Sequence, residues 1–264
     1  GESNYYGSND TTIAFRTEDV LAGFRSALQY NINENAMMYG SISRGYKAGG
    51  INQNPYLSQL NRNYQPEFNW NYETGLKIYT KKMQVQLTLF YMNRVDQQVN
   101  ISSQQEEENP NTFYFYTENA TTGYNFGLEF EHSFNITDNF KMFYNVGLLN
   151  THVDPYEFKT NYTTTVTLGD REQAQAPKYT YNYGLKYKYP FGITLSCEVS
   201  GKDEFYFSDS HDMKSEKYQI LNASWRYDYK SFSVIGWSKN ILDERYTIRG
   251  FYFGLEPPNY EDKL

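Results

Sequence analysis

Residues 177–189 read PKYTYNYGLKYKY. Tyr179, Tyr181, Tyr183, Leu185, Tyr187 and Tyr189 form one alternating set, and Lys178, Thr180, Asn182, Gly184, Lys186 and Lys188 form the other. Side chains alternate across a strand with period 2, so this is an extended strand with one apolar and one wetted face. Pro190 then stops pairing, and residues 189–192 (YPFG) make a tight turn. The segment is far longer than the about 5–6 residues usual for a globular strand. It meets the roughly 9–11 residues that a tilted strand needs to cross a bilayer.

The same pattern recurs on both sides. Apolar residues alternate with polar ones at 18–30 (Val20, Ala22, Phe24, Ser26, Leu28, Tyr30), 69–80 (Trp70, Tyr72, Thr74, Leu76, Ile78) and 83–95 (Val85, Leu87, Leu89, Tyr91). They do so again at 123–134 (Tyr124, Phe126, Leu128, Phe130), 193–199 (Ile193, Leu195, Cys197, Val199) and 219–229 (Leu221, Ala223, Trp225, Tyr227, Tyr229). Three further strands fall at 36–46, 140–153 and 231–242, where apolar residues occupy both faces. The connections alternate in length. Short links lie near 31–35, 80–83, 134–139, 189–192 and 229–231, long ones near 46–67, 100–112, 154–176 and 206–216, and a tail follows at 247–264. Antiparallel strands joined in this way put every short turn at one end and every long loop at the other. Outer-membrane barrels are built so, whereas a soluble sandwich has no reason for the asymmetry. The polar face carries Lys, Glu, Asn and Arg, as a wet lumen would, and the Tyr- and Trp-bearing face suits lipid with interfacial girdles.

Composition points the same way. The 264 residues hold 28 Tyr and 26 Asn against 17 Leu and 9 Ala, which excludes a helical bundle. An aromatic content of 19% argues against disorder. A net charge of −7 makes nucleic acid a poor partner. The single cysteine, Cys197, excludes an intrachain disulfide and sits on the apolar face, where packing against lipid is its expected role. No apolar run is long enough for a transmembrane helix, which says nothing against a β-barrel. The fold class expected is all-β, an antiparallel transmembrane β-barrel.

Several motifs then resemble one family. Asn240-Ile241-Leu242-Asp243-Glu244-Arg245-Tyr246 is similar to the Asn-Leu-Phe-Asp-x-x-Tyr motif near the end of TonB-dependent outer-membrane receptors, with Ile241 and Leu242 replacing the usual Leu and Phe. Residues 43–50 (SRGYKAGG) resemble its Ser-x-Gly-Tyr-Lys-x-Gly-Gly stretch, with Ile51 and Asn52 following. Pro66-Glu67 with residues 71–77 (NYETGLK), and Gly123 with Gly127-Leu128-Glu129, resemble two of its strands in the same order. The resemblance implies a barrel of about 22 strands around a plug. The ten strands would be roughly its twelfth to twenty-first, and residues 1–17 the end of an external loop. Residues 1–264 are then expected to be the C-terminal portion of that barrel, a fragment with plug domain, coupling box and final strand absent. Such a fragment is not expected to close on its own, because raw strand edges are not tolerated in lipid.

The function implied by the resemblance is uptake of a scarce nutrient, a ferric siderophore foremost, or cobalamin or a glycan, energised by the TonB system. The expected partners are outer-membrane lipid, a small nutrient ligand and a TonB-type coupling protein acting through the missing N-terminal part. No cofactor is expected. Ligand-contact candidates, chosen as aromatic, basic or histidine residues in the long loops, are Tyr56, Arg62, Tyr64, Tyr162, Arg171, Phe205 and His211.

Other chemistry is weak. Residues 208–212 (SDSHD) hold nucleophile, base and acid types adjacent in sequence, but a triad needs them to converge in space. No standard metal-ligand spacing is present. Glu106-Glu107-Glu108 reads as a solvated loop tip, and His132 as an interfacial residue at a strand end. The alternatives to a receptor are an outer-membrane barrel enzyme of protease or lipase type, relying on Asp209, Ser210 and His211, and a soluble carbohydrate-binding β-protein.

Overall fold

The computed structural model describes residues 2–6, 12–54, 57, 62–104, 113–120, 122–159, 165–209 and 211–250. Among them there are strands and no helix. Ten strands form one antiparallel sheet: β3 (Phe24–Asn33), β4 (Ala36–Lys47), β7 (Glu67–Tyr79), β8 (Met83–Val95), β11 (Thr122–Thr137), β12 (Phe140–Val153), β15 (Tyr179–Lys188), β16 (Ile193–Lys202), β17 (Tyr218–Tyr229) and β18 (Phe232–Ser238). Each pairs with its neighbours in that order, and β3 and β18 stand at the two ends, so the barrel wall is open. Four further hairpins decorate it: β1 (Glu2–Tyr6) with β2 (Thr12–Arg16), β5 (Gly50–Ile51) with β6 (Asn63–Tyr64), β9 (Gln98–Gln104) with β10 (Phe113–Asn119), and β13 (Tyr156–Lys159) with β14 (Thr165–Leu168).

The period-2 reading assigns the two faces. Tyr30, Met38, Leu76, Leu87, Phe130, Val146 and Tyr181 are successive cross-strand partners, forming one apolar row across seven strands. One residue along, Gln29, Tyr39, Gly75, Thr88, Glu129, Gly147, Thr180 and Lys202 form the opposing polar row. The first row faces lipid and the second the lumen. Lumen-facing aromatic residues on the strands at 36–46 and 140–153, and on β8, are explained by glycine. Tyr39, Phe90 and Phe143 point into the lumen, and each ring lies over the glycine directly opposite it: Gly75, Gly127 and Gly184. An aromatic ring there covers a bare stretch of the neighbouring backbone.

All five short turns lie at one end and are sealed locally. Thr80 Oγ1 accepts the amides of Lys82 (3.3 Å) and Met83 (2.9 Å), and Thr137 Oγ1 accepts those of Asn139 (3.3 Å) and Phe140 (3.1 Å). Asn33 Oδ1 accepts the Asn35 amide at 2.8 Å. The remaining two turns use the left-handed conformation, at Gly192 (φ 91°) and Lys230 (φ 53°).

The structure corrects some boundaries. The first wall strand begins at Phe24 rather than at residue 18, because the Arg44 guanidinium takes the Ala22 carbonyl out of the ladder. The last ends at Ser238 rather than at 242. Beyond it Asn240 adopts φ 50°, accepts the Glu244 amide (2.9 Å) and donates to the Glu244 carbonyl (2.9 Å), which folds the motif into a closed turn. Of the link placed at 100–112, residues 100–104 belong to β9, which pairs with β10. Residues 1–17, expected as loop, contain the β1–β2 hairpin.

The buried apolar cluster among the described residues lies at the loop end, and of the wall strands only β12 contributes to it, through its last residue, Val153. Leu57, Val99, Ile101, Tyr116, Ala120, Val153 and Tyr156 pack together, with Tyr114, Val166 and Leu168 against them. The long loops thus share a small core of their own, in which each buried Val or Ile contributes about 1.5–3 kcal/mol. That core makes the loop end a preformed surface.

Candidate ligand-binding site

Residues 171–175 (REQAQ) cross the loop end as a strap held by two isolated bridges. Arg171 and Gln175 send their side chains to residues 207–211, whereas Gln173 sends its side chain to the wall strands, and Gln175 adopts φ 59°. Val153 bridges Arg171 in antiparallel fashion, and Ala174 bridges Tyr206 in parallel. The Gln175 amide donates to the Tyr206 carbonyl (2.9 Å), and its Nε2 donates to the Phe207 carbonyl (3.0 Å). The Ala174 amide donates to Asp209 Oδ1 at 3.4 Å.

Arg171 ties two loops. Its guanidinium carbon sits 4.0 Å from the Tyr206 ring centroid, Nη2 donates to the carbonyls of Ser208 (2.8 Å) and His211 (3.2 Å), and Nε lies 3.4 Å from Asp212 Oδ1. A planar fork can make these contacts together, and a lysine cannot.

Beside this tie is a cavity of about 590 Å³. It is lined by Asn100, Ile101 and Phe115 from the β9–β10 hairpin, by Ala174 and Gln175 from the strap, by Phe207, Ser208, Asp209 and His211, and by Ile248, Arg249 and Gly250. Its size is that of a small-molecule site, and its lining residues divide about equally between polar and apolar. Burial raises the Asp209 pKa, with the Ala174 amide and Arg171 opposing. Burial and then Arg171 lower that of His211, with Asp212 opposing. The site at neutral pH therefore presents a neutral imidazole.

Under the cavity, on the lumen face, lies a second polar group. Arg94 donates through Nε to Glu67 Oε1 (2.8 Å), with Nη2 also 2.7 Å from that oxygen, and through Nη1 to Gln173 Oε1 (3.0 Å). Glu67 Oε2 accepts the Gln98 amide at 2.9 Å. Gln173 Nε2 donates to Asn125 Oδ1 (2.7 Å) and its amide to Thr151 Oγ1 (3.1 Å). Every strong donor and acceptor of the buried pair is used, which is what a buried ion pair requires.

A catalytic reading fails on geometry. His211 Nδ1 accepts the Met213 amide at 3.3 Å, so it is not the N–H that a carboxylate would orient. Among the described residues no group of three or more His, Cys, Asp or Glu is placed to hold a metal ion.

Residues 3–249 match the family model described as TonB dependent receptor-like, beta-barrel. The chain belongs to that family. Members of the TonB-dependent receptor family are β-barrel proteins of the bacterial outer membrane, which places this chain there. They are transport receptors and not enzymes. Solved structures agree in fold. The ferric yersiniabactin uptake receptor FyuA from Yersinia pestis superposes with a TM-score of 0.73 at 16% identity, over 92% of this chain and 36% of that one. The siderophore receptor PiuA from Acinetobacter baumannii gives 0.72 at 15% identity, over 93% and 35%. The copper transporter OprC gives 0.68 at 14% identity, over 90% and 36%. The chain thus spans about a third of the length of these receptors.

The residues singled out from sequence separate into groups within this TonB-dependent receptor wall. His211 lines the cavity and Arg171 fixes the loop that carries it. Phe205 is buried, edge-on to Phe207 at 5.9 Å and under Lys202 Nζ at 4.1 Å, so it supports the cavity wall without lining it. Arg62 is buried, and its carbonyl accepts the Asn52 amide at 2.7 Å. Tyr64 lies over Gly50. Neither lines the cavity. Tyr56 and Tyr162 lie outside the described residues. Sequence reasoning missed Asp209 as a lining residue, and it missed Gln173, Gln175, Arg94 and Glu67 altogether as a group. No local pattern marks the strap or pairs Arg94 with Gln173.

Proposed function

We propose that this chain is the C-terminal part of the barrel of an outer-membrane receptor that imports a scarce nutrient, a ferric siderophore foremost, with energy from the TonB system. The plug and the coupling segment belong to the part of the receptor outside residues 1–264. The observation that carries the reading is the cavity of about 590 Å³ built from separate external segments on one side of the wall. His211, Arg249, Gln175 and Asn100 supply its polar contacts, and Phe115, Phe207, Ile101 and Ile248 its apolar ones. Capture needs such a preformed mouth and no bond-making chemistry. Likeness to FyuA and PiuA, a ferric yersiniabactin uptake receptor and a siderophore receptor, supports iron as the cargo. Arg171 and His211 are the sequence candidates retained for this role, with Asp209 added.

The test is growth of a deletion strain on defined iron, cobalamin and glycan sources. Loss of growth on a ferric siderophore, restored by the wild-type gene and not by a receptor carrying His211→Ala and Arg249→Ala together, is the expected outcome. Loss confined to cobalamin, a glycan or copper supply would replace the ferric reading.

A further inference from the structure

We infer that Gln173 is a positioning residue through which the lumen-facing Glu67–Arg94 pair sets the geometry of the external cavity. The inference rests on the cavity being the capture site. Gln173 is the middle residue of the strap and the only one of 171–175 that the described bonds tie to the wall strands by its side chain: Arg94 Nη1 on β8 donates to it at 3.0 Å, and it donates to Asn125 Oδ1 on β11 at 2.7 Å. Its neighbours face the other way. Ala174 holds Asp209 by its amide, Gln175 holds the carbonyls of Tyr206 and Phe207, and Arg171 holds those of Ser208 and His211. A rotation or shift of Gln173 therefore moves the strap's anchors on the cavity's 206–211 wall together.

The ion pair fixes that register. Arg94 reaches Gln173 only while Glu67 holds its other nitrogens, and Glu67 is held in turn by the Gln98 amide at the base of the β9–β10 hairpin. That hairpin supplies Asn100, Ile101 and Phe115 to the opposite cavity wall. One buried pair thus sits under both walls. Binding coupling is reciprocal, so a group in the lumen that draws Arg94 or Glu67 away loosens the cavity, and an occupied cavity holds the pair together.

Amide hydrogen exchange on the complete receptor in detergent tests this without any ligand. Gln173→Leu is expected to speed exchange in 203–217 by roughly tenfold, as loss of a buried hydrogen bond does, with β8 and β11 unchanged. The neutral pair Glu67→Gln with Arg94→Gln leaves no stranded charge, removes no hydrogen bond made by 203–217, and is expected to give the same acceleration in an Asp209→Asn background, where the charge of Arg94 has no carboxylate to act on. The triple variant should show no more than either alone, the non-additivity of one shared path. Gln173→Glu, which keeps the acceptor for Arg94 and loses the donor to Asn125, should give exchange between that of wild type and that of Gln173→Leu. Unchanged exchange in 203–217 for the neutral pair, or effects that multiply in the triple variant, would overturn the inference. Exchange does not depend on transport, so a failed growth assay and a failed exchange result are separable.

Discussion

Tyr39 lies flat over Gly75, the residue directly opposite it on the next strand, and reaches past it to place its hydroxyl 3.2 Å from Thr88 Oγ1 on the strand beyond. Three strands are thereby joined by one side chain, and the glycine is what lets the ring lie down. Phe90 over Gly127 and Phe143 over Gly184 repeat the arrangement along the lumen face. The nearest atoms to a Cβ added at Gly75 all belong to the Tyr39 ring.

Gly75→Val is therefore expected to destabilise the barrel by about 1–3 kcal/mol through overpacking. Tyr39→Ala in the same chain should recover much of that loss, and Tyr39→Phe alone should cost only about 0.5–1.5 kcal/mol for the hydroxyl bond. Thermal unfolding of the complete receptor, followed by its gel mobility shift, reads all three. If Gly75→Val is silent, the ring does not depend on the bare backbone.

Among the described residues of this 264-residue chain, the end strands of the wall, β3 and β18, each pair on one side only. Unpaired backbone groups are not tolerated in hydrocarbon, so this chain alone is expected to aggregate in detergent rather than give a heat-modifiable β-rich monomer. Refolding trials followed by gel mobility and circular dichroism decide it. A discrete monomer would contradict the fragment reading.

Arg171→Lys keeps the charge but loses the fork that spans Tyr206, Ser208 and His211. The segment 203–217 should become cut by protease several-fold faster, with Arg171→Ala worse and the wall strands unaffected. Equal cleavage of wild type and the lysine variant would show that charge alone suffices.

The cavity should respond to pH with two opposed signs. Burial raises the Asp209 pKa above the ordinary 3.8, so the folded loop binds that proton more tightly than the unfolded one. Its stability is greatest in acid and falls as pH rises through the window above 3.8. Burial lowers the His211 pKa below 6.5, so its contribution is complete above 6.5 and is lost as pH drops through the window beneath. Protease nicking of 203–217 across pH should therefore flatten on its alkaline side in Asp209→Asn and on its acid side in His211→Gln. A profile that neither substitution alters would remove both groups from the loop's energetics.

The wall was legible because its signal is local. Period-2 alternation puts Tyr181 and Phe130 on the apolar faces of their strands whatever lies elsewhere in the chain, and a one-residue slip would expose the whole apolar set to the lumen. The strands at 36–46 and 140–153 could not be assigned a face from alternation, since Tyr39 and Phe143 look apolar. Only their cross-strand glycines explain why they tolerate the lumen side. The end of the last strand was misplaced for a related reason: Asn240 is compatible with a strand by pattern, and its clamp on Glu244 appears only once the turn is folded.

For this protein, then, the order of residues along the chain decided strand, turn and lipid-facing side, because each depends on neighbours within a few positions. The loop end was decided in three dimensions. Arg94 meets Gln173 across 79 positions of sequence, and Arg171 meets the Ser208 and His211 carbonyls across 37 and 40. Such pairs form because antiparallel strands carry distant loops to one rim. Burial then gives their hydrogen bonds a strength that no sequence pattern records.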